Sequence, residues 1–472
     1  MPRTWIVSVA AVLSTTILAQ APPPAPDWPR LEAETLQHFQ ALLRLDTSNP
    51  PGNEKLAADY LKQVLDREGI PTQIFALEPA RANLVARLKG SGRRQPILLM
   101  GHTDVVTVDP GKWTFPPFSA TRDGGYVYGR GSLDDRPHVV AGLMTLLMLK
   151  RLNVPLDRDV IFLAESGEEG TTRVGIDFMA RDHYQDISAE YCLAEGGETP
   201  RVGGKVKYAG IETVEKIPLP LELTAHGTSG HGSIPLLDNP IVHLSRAVAA
   251  LAAWRTPIRL NDTTREYFKR LADISSGDDA ARYRAVLVPG GAAAAAADNY
   301  FLQREPRQAS MLRTSVTPTI LNGGYRFNVI PSEAKATIDV RMVPEENPGA
   351  FIEAAKKVIN DPAVDVTISK AIDQRTAGGT TRIDSEAFKA IEAAVTKHYQ
   401  AISLPVMQTG ATDMSVLRAK GIQCYGVNAA VDSEDGPKGF GPHSDQERVL
   451  ESEIYRFVRL EWDIVTALAG VK

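Results

Sequence analysis

Cysteine is nearly missing from this chain. Its 472 residues hold two, Cys192 and Cys424, too few for a disulfide framework. A surplus of positive charge is missing too. Lysine and arginine number 52 against 57 aspartates and glutamates, a formal net charge of -5, so no basic excess is available to neutralise phosphates and nucleic-acid binding is disfavoured. Beyond residue 21 no apolar run approaches the roughly 20 residues that a membrane span needs, and no internal repeat is visible. What remains, 43% hydrophobic and 23% charged residues, is the composition of folded domains and excludes intrinsic disorder. At this length two domains are expected rather than one core.

Residues 1–21 stand apart. Arg3 gives a positive start, WIVSVAAVLSTTILA an apolar stretch, and Ala19-Gln20-Ala21 a small-x-small pattern that permits cutting after Ala19 or Ala21. The stretch is too short to span a bilayer. It is expected to be a signal peptide, so the mature chain is expected to be exported, to the periplasm or the extracellular space. Residues 22–30, with their prolines, are expected to form a stiff linker.

From Pro29 to about Gly210 the texture alternates. LEAETLQHFQALLRL and EKLAADYLKQVLDREG carry apolar residues at helical spacing, the second stopped by Gly69 and Pro71. Short apolar runs follow at NLVARLK, PILLMGH, DVIFLAES and AEYCLAE, with the helical HVVAGLMTLLMLKRL between the second and third. Such alternation predicts an α/β fold whose largely parallel sheet is flanked by helices. After about Val214 the pattern changes to LPLELTAHG, RFNVIPSEAKATIDVRMVP and VDVTISK, strands with one solvated face, interleaved with helical PIVHLSRAVAALAAW and NPGAFIEAAKKVI. A smaller α+β domain is therefore expected at 215–372, inserted into a larger one at 31–214 and 373–472. Within it, residues 256–314 are hard to read, and AAAAAAD at 292–298 fits helix or low-complexity loop equally.

Acidic and histidine clusters fall at strand ends, where open α/β sheets bind ligands. PILLMGHTDVV places His102 and Asp104 after an apolar strand, two apart and so on one side, where Asp104 could reach the ring and raise its basicity as a ligand. YGRGSLDDRPH offers Asp134 and Asp135 in a glycine-rich turn, as helix cap or cation site. FLAESGEEG ends in Glu168 and Glu169, and YCLAEGG in Glu195. Far downstream, GFGPHSDQERV sets His443 in a glycine/proline loop. Two imidazoles and at least three carboxylates make the ligand set of a site for two divalent ions, with zinc favoured and cobalt or manganese possible.

These motifs resemble the M20 family of metallopeptidases, which includes carboxypeptidases, dipeptidases and aminoacylases. DTSNPPGNE at 46–54 and YGRGSLDD also resemble its carboxypeptidase S-like branch, and the likeness runs in order from about Leu31 to the C-terminus. By this resemblance His102 and Glu195 serve one metal, Glu169 and His443 the other, and Asp134 bridges the two. Glu168 matches the general base and Asp104 the carboxylate that orients His102. The inserted domain resembles a lid: His231 in AHGTSGHGSIP matches a histidine that polarises the scissile carbonyl, often from the partner of a homodimer joined through the lid. Asn328, Arg341 and, in GATD, Gly410 match substrate-contacting positions. His226 is expected to be structural. One departure is plain: Arg136-Pro137 stand where the family usually has Lys-Gly.

The resemblance implies hydrolysis of a small peptide or N-acyl amino acid, at the amide next to a free carboxylate. Three alternatives stand beside that M20-type carboxypeptidase or dipeptidase: an N-acyl-amino-acid deacylase on the same scaffold, an M28-type aminopeptidase, and an exported binding protein with a dead site.

Overall fold

Two sheets organise the chain in a computed structural model that describes residues 25–370 and 375–471. The expected signal peptide, residues 1–21, lies outside the described residues. The expected linker ends sooner than residue 30, because a helix already runs from Trp28 to Leu43. Pro29 sits in its first turn, where an absent N–H breaks no helical bond.

The larger sheet has eight strands: β1 (Thr72–Glu78), β2 (Arg81–Leu88), β3 (Ile97–His102), β4 (Val160–Glu165), β5 (Tyr191–Ala194), β6 (Ala209–Glu215), β7 (Ser403–Gln408) and β8 (Gln423–Gly426). Their order is β7-β6-β8-β5-β3-β4-β2-β1. The central four, β8, β5, β3 and β4, are parallel, whereas β1, β2 and the β6–β8 pairing are antiparallel. Alternate side chains of β3 and β4 serve two cores. Leu99 and Phe162 join the helices at 136–151, 386–399 and 451–469, while Leu98, Met100 and Leu163 join those at 176–182 and 414–419. Helices on both faces explain why these strands read as unbroken apolar runs. Cys192 and Cys424 face each other in register on β5 and β8, both buried and free.

The smaller sheet is antiparallel, in the order Ser315–Gly323, Glu333–Met342, Ile217–His226, Val364–Ile368. The helices Pro240–Ala253 and Pro348–Ile359 cover one face, burying Leu244, Leu251, Phe351 and Ala355 against Leu221, Ile338 and Val340. Only Lys216 separates this sheet from β6.

The interval 215–372 is not one packing unit, contrary to the sequence expectation. Its middle folds into helices at 262–273, 277–285, 292–304 and 306–311, so the alanine run is helical. Tyr267, Phe268 and Phe301 of this group share a core with Val214 of β6 and Leu404, Val406 and Met407 of β7. The aromatic residues thus bury the outer edge of the larger sheet, and the segment 262–311 belongs to that body by packing.

Candidate metal centre and substrate pocket

Strands β3, β4 and β5 are parallel neighbours, so their carboxyl ends lie together, with His102 opposite Glu165 in register. The loops leaving these ends carry the acidic residues singled out in the sequence. His102, the buried last residue of β3, places Nε2 2.8 Å from Asp134 Oδ1 and 3.8 Å from Glu195 Oε2. The other oxygen of Asp134, Oδ2, is 3.2 Å from His443 Nε2, which lies 2.9 Å from Glu169 Oε1. Two donor groups result, His102–Asp134–Glu195 and Asp134–Glu169–His443, with donor atoms in each within 4.8 Å of one another. They share Asp134, which turns one oxygen to each. Imidazole and carboxylate donors in this arrangement fit a pair of borderline divalent cations. Asp135 is engaged elsewhere, for its carboxylate accepts the His102 backbone N–H at 3.3 Å and binds the buried His138 ring. It makes no side-chain capping bond to the helix it precedes, so the capping reading fails.

Charge and hydrogen bonding set the ring states. Nδ1 of His102 is 3.1 Å from the Asp104 carbonyl and 3.4 Å from the Asp104 carboxylate, so its N–H donates to Asp104 and Nε2 faces the acids. Burial opposes a charge on His102, yet the bonds to Asp104 and Asp134 and the Glu195 charge outweigh it and hold the ring well above its usual range. His443 is pushed up to about 10 by bonds to Asp134 and Glu169. Glu168 is pushed up to about 8, first by burial and then by the Asp413 charge, with Arg375 opposing.

Two buried carboxylates hold the loops in place. Asp104 accepts the backbone N–H groups of Gly167, Glu168 and Glu169 at 3.0, 3.1 and 3.0 Å, and the Asn49 amide at 2.8 Å. Its carboxylate therefore spends most of its bonds on the Glu168–Glu169 loop, and its main-chain carbonyl is the nearer partner of His102. Gly167 makes that loop possible, for it turns at φ +86° where a Cβ would strike the Thr171 carbonyl. Glu447 does the same for the Asp134 loop, accepting the N–H groups of Gly131, Leu133 and Asp134 at 3.1, 2.7 and 3.2 Å. Arg130 pairs with it at 2.6 Å. Sequence reading missed Glu447; its one signal was an acid four residues after His443, indistinguishable from surface charge. The Arg136-Pro137 departure is accommodated. Pro137 falls in the first helical turn, and buried Arg136 donates to the Thr103 carbonyl and Thr47 hydroxyl, each at 2.7 Å.

A pocket of about 420 Å³ opens over the acids, lined by Asp134, Glu168, Glu169, Glu195 and His443, and also by Arg341, Arg375, Gln408 and Gly410. Arg341 and Gly410 therefore stand in the wall of the same pocket as the acids. His231 and Asn328 are not among the lining residues. His231 is exposed in a short strand, Gly230–His231, that pairs with Val329–Ile330, and its Nδ1 accepts from Ser233. Asn328 lies beside it, its carbonyl accepting the Gly232 N–H at 2.8 Å. His226 is 3.2 Å from Asp365 across the smaller sheet, a surface pair. Arg375, which sequence reading also missed, donates to Glu168 Oε1 at 2.7 Å.

Comparison with known proteins adds a family to this geometry. Residues 98–466 match the family model described as peptidase family M20/M25/M40. The chain is 31% identical over 339 residues to a probable succinyl-diaminopimelate desuccinylase of Staphylococcus aureus, covering 70% of this chain and 74% of that protein. It is 25% identical over 449 residues to mouse aminoacylase-1, covering 94% and 97%. Its fold is similar to that of an M20 family metallo-carboxypeptidase from Sulfolobus solfataricus, with TM-score 0.69, 20% identity and coverage of 92% and 98%. A family-model match over 98–466 settles the assignment: the chain belongs to peptidase family M20/M25/M40.

Proposed function

We propose that this chain is an exported di-metal hydrolase that cleaves a peptide or N-acyl amide bond next to a free carboxylate. The observation that carries the reading is Asp134, whose two oxygens face two separate imidazole–carboxylate groups with Glu168 beside them. His102 and Glu195 would hold one cation, Glu169 and His443 the other, with Asp134 between; zinc fits the donors best, and cobalt or manganese would also fit. Bound cations supply Lewis acidity and bring the ionisation of water toward neutral pH. Glu168, beside the donors in the pocket, accepts the proton of the attacking water and returns it to the leaving nitrogen. Asp104 fixes the backbone from which Glu168 works. Arg341 and the loop at Gly410 receive the substrate carboxylate.

His231 is assigned to the developing oxyanion, which requires the smaller sheet to act as a lid or a second subunit to supply the ring. A homodimer through the lid is the route favoured. Ser315–Gly323 is an edge strand with Ile320 and Leu321 exposed, and Ile234, Leu237, Ile241 and Val242, which follow closely on His231 in the chain, are exposed too. Export rests on residues 1–21 and on their fit to a signal peptide. Among the described residues no helix is long and apolar enough to cross a membrane.

A second reading, N-acyl-amino-acid deacylase, has its own support in the end-to-end likeness to aminoacylase-1. The M28 alternative falls with the family assignment, and a dead binding protein is disfavoured by the intact donor set and Glu168. The discriminating experiment strips the chain with a chelator, restores zinc, and assays dipeptides, N-acetyl amino acids and long-chain acyl amino acids. Zinc-dependent turnover of any of these supports the reading, and their ratio chooses between peptidase and deacylase. Turnover of none, with zinc bound, would refute it.

A further inference from the structure

We propose that Arg375 is a positioning residue that selects which carboxylate oxygen of Glu168 takes part in proton transfer, an inference that rests on Glu168 being the base. Arg375 stands where the chain has left the smaller sheet and re-enters the larger body, well outside every motif that pointed to chemistry. One planar guanidinium grips Glu168 at two points, with Nη1 donating to Oε1 at 2.7 Å and Nη2 donating to the main-chain carbonyl at 2.8 Å. Nη1 also donates to Oδ1 of Asp413, a buried carboxylate, at 3.3 Å.

A residue bound by its side chain and its own carbonyl to one rigid fork loses the rotation that separates them. Asp104 already accepts the Glu168 backbone N–H at 3.1 Å. Backbone and side chain are both pinned, Oε1 is committed to Arg375, and Oε2 is the oxygen left for the water. Proton transfer demands hydrogen-bond reach, so a base free to swing loses most of its advantage without any change in the metal ligands.

The competing role for an arginine in this pocket is to bind the substrate carboxylate. Arg341 lines the same pocket and is the better candidate, for its ion pair to Asp339 at 2.8 Å lies within the smaller sheet and leaves Glu168 untouched. The two roles separate in kinetics: an anchor lost raises KM, and a base mispositioned lowers kcat.

The test uses the full zinc-loaded chain. Arg375→Ala is expected to lower kcat at least 10-fold with KM within about threefold and two metal ions per chain retained. Arg375→Lys keeps the charge without the fork and is expected to fall between Ala and the parent. In a Glu168→Gln background, Arg375→Ala is expected to cost nothing more, because the group it positions is already gone. An unchanged kcat, a raised KM with kcat kept, or additive losses in the double variant would each overturn the proposal. If the alanine variant does not fold, the lysine variant and its double with Glu168→Gln carry the same comparison. Should Glu168→Gln alone keep full turnover, the base reading itself fails; should it be inactive while Arg375→Ala is normal, only the inference about Arg375 fails.

Discussion

The carboxylate of Glu447 accepts the backbone N–H of Asp134 at 3.2 Å across 313 positions of sequence. Glu447 is four residues past His443, so one buried acid ties the loop of a shared donor to the loop of an imidazole donor. Glu447→Gln keeps the shape and removes the charge. It is expected to weaken cation binding about 10–100-fold, as loss of groups that orient ligands does elsewhere. Titration of the stripped variant with zinc against a chelating dye measures this, and parent-like affinity would contradict the clamp.

Asp134 belongs to both donor groups, whereas His102 and His443 belong to one each. Asp134→Ala is therefore expected to lower metal content toward zero, and His102→Ala or His443→Ala toward one ion per chain. Thermal stability should fall in the same order, because bound metal favours the folded state. Elemental analysis of the three proteins decides it; two ions retained in Asp134→Ala would exclude the shared position.

His231 is exposed and away from the pocket within its own chain. If it reaches the oxyanion, His231→Ala should lower kcat about 10²–10³-fold with metal content intact. Mixing inactive His231→Ala with inactive Glu168→Gln under conditions of subunit exchange should then restore activity in hybrid dimers. Absence of recovery with exchange demonstrated would assign the ring to closure within one chain, and near-normal kcat in the variant would return His231 to a structural turn.

Lys216, the single residue between β6 and the smaller sheet, is fully buried, and its ammonium meets neutral acceptors: the Ser310 carbonyl and hydroxyl, each at 3.1 Å, and the Ser315 hydroxyl at 2.8 Å. Burial and then the nearby Arg341 charge push it down to about 7, with Asp339 opposing and Arg313 adding to the fall. Below pH 7 the lysine is protonated in both folded and unfolded chains, so the burial penalty is present in full. Between about 7 and the ordinary value of 10.5 only the unfolded chain keeps the proton, so this group makes stability rise with pH, by at most about 1.4 kcal/mol per unit. Lys216→Met should flatten that rise. Denaturant midpoints at pH 7 and pH 9 measure it, and equal slopes in both proteins would contradict the assignment.

How far the sequence carried depends on which side chains each element buries. Strands β3, β4 and β5 are buried along their whole length, and their apolar runs were plain, as were the acids that follow them. Strands β6 and β7 were not legible. Within β6, Glu212 and Glu215 are buried against Arg418 at 2.9 and 3.2 Å, and polar residues at core positions erase the apolar pattern. The helices 277–285 and 292–304 were ambiguous because their buried faces are sparse, and the attachment of the whole 262–311 group to β6 and β7 is a tertiary fact that periodicity does not carry. His102, Glu169 and Glu195 could be read because each ends or follows a strong strand, and Asp134 and His443 because glycine-rich loops set them apart. Glu447 and Arg375 could not, since a charge in a loop acquires meaning only from what it touches.

Glu168→Gln puts the central claim to the most direct test. Glu168 lines the pocket, lies outside both donor groups, and is the acid left to move the proton. Turnover and metal content measured on the same preparation are expected to show a loss of roughly 10²–10⁴-fold or more with two ions per chain still bound. Retained turnover would contradict the account, and a lost ion would make Glu168 a ligand.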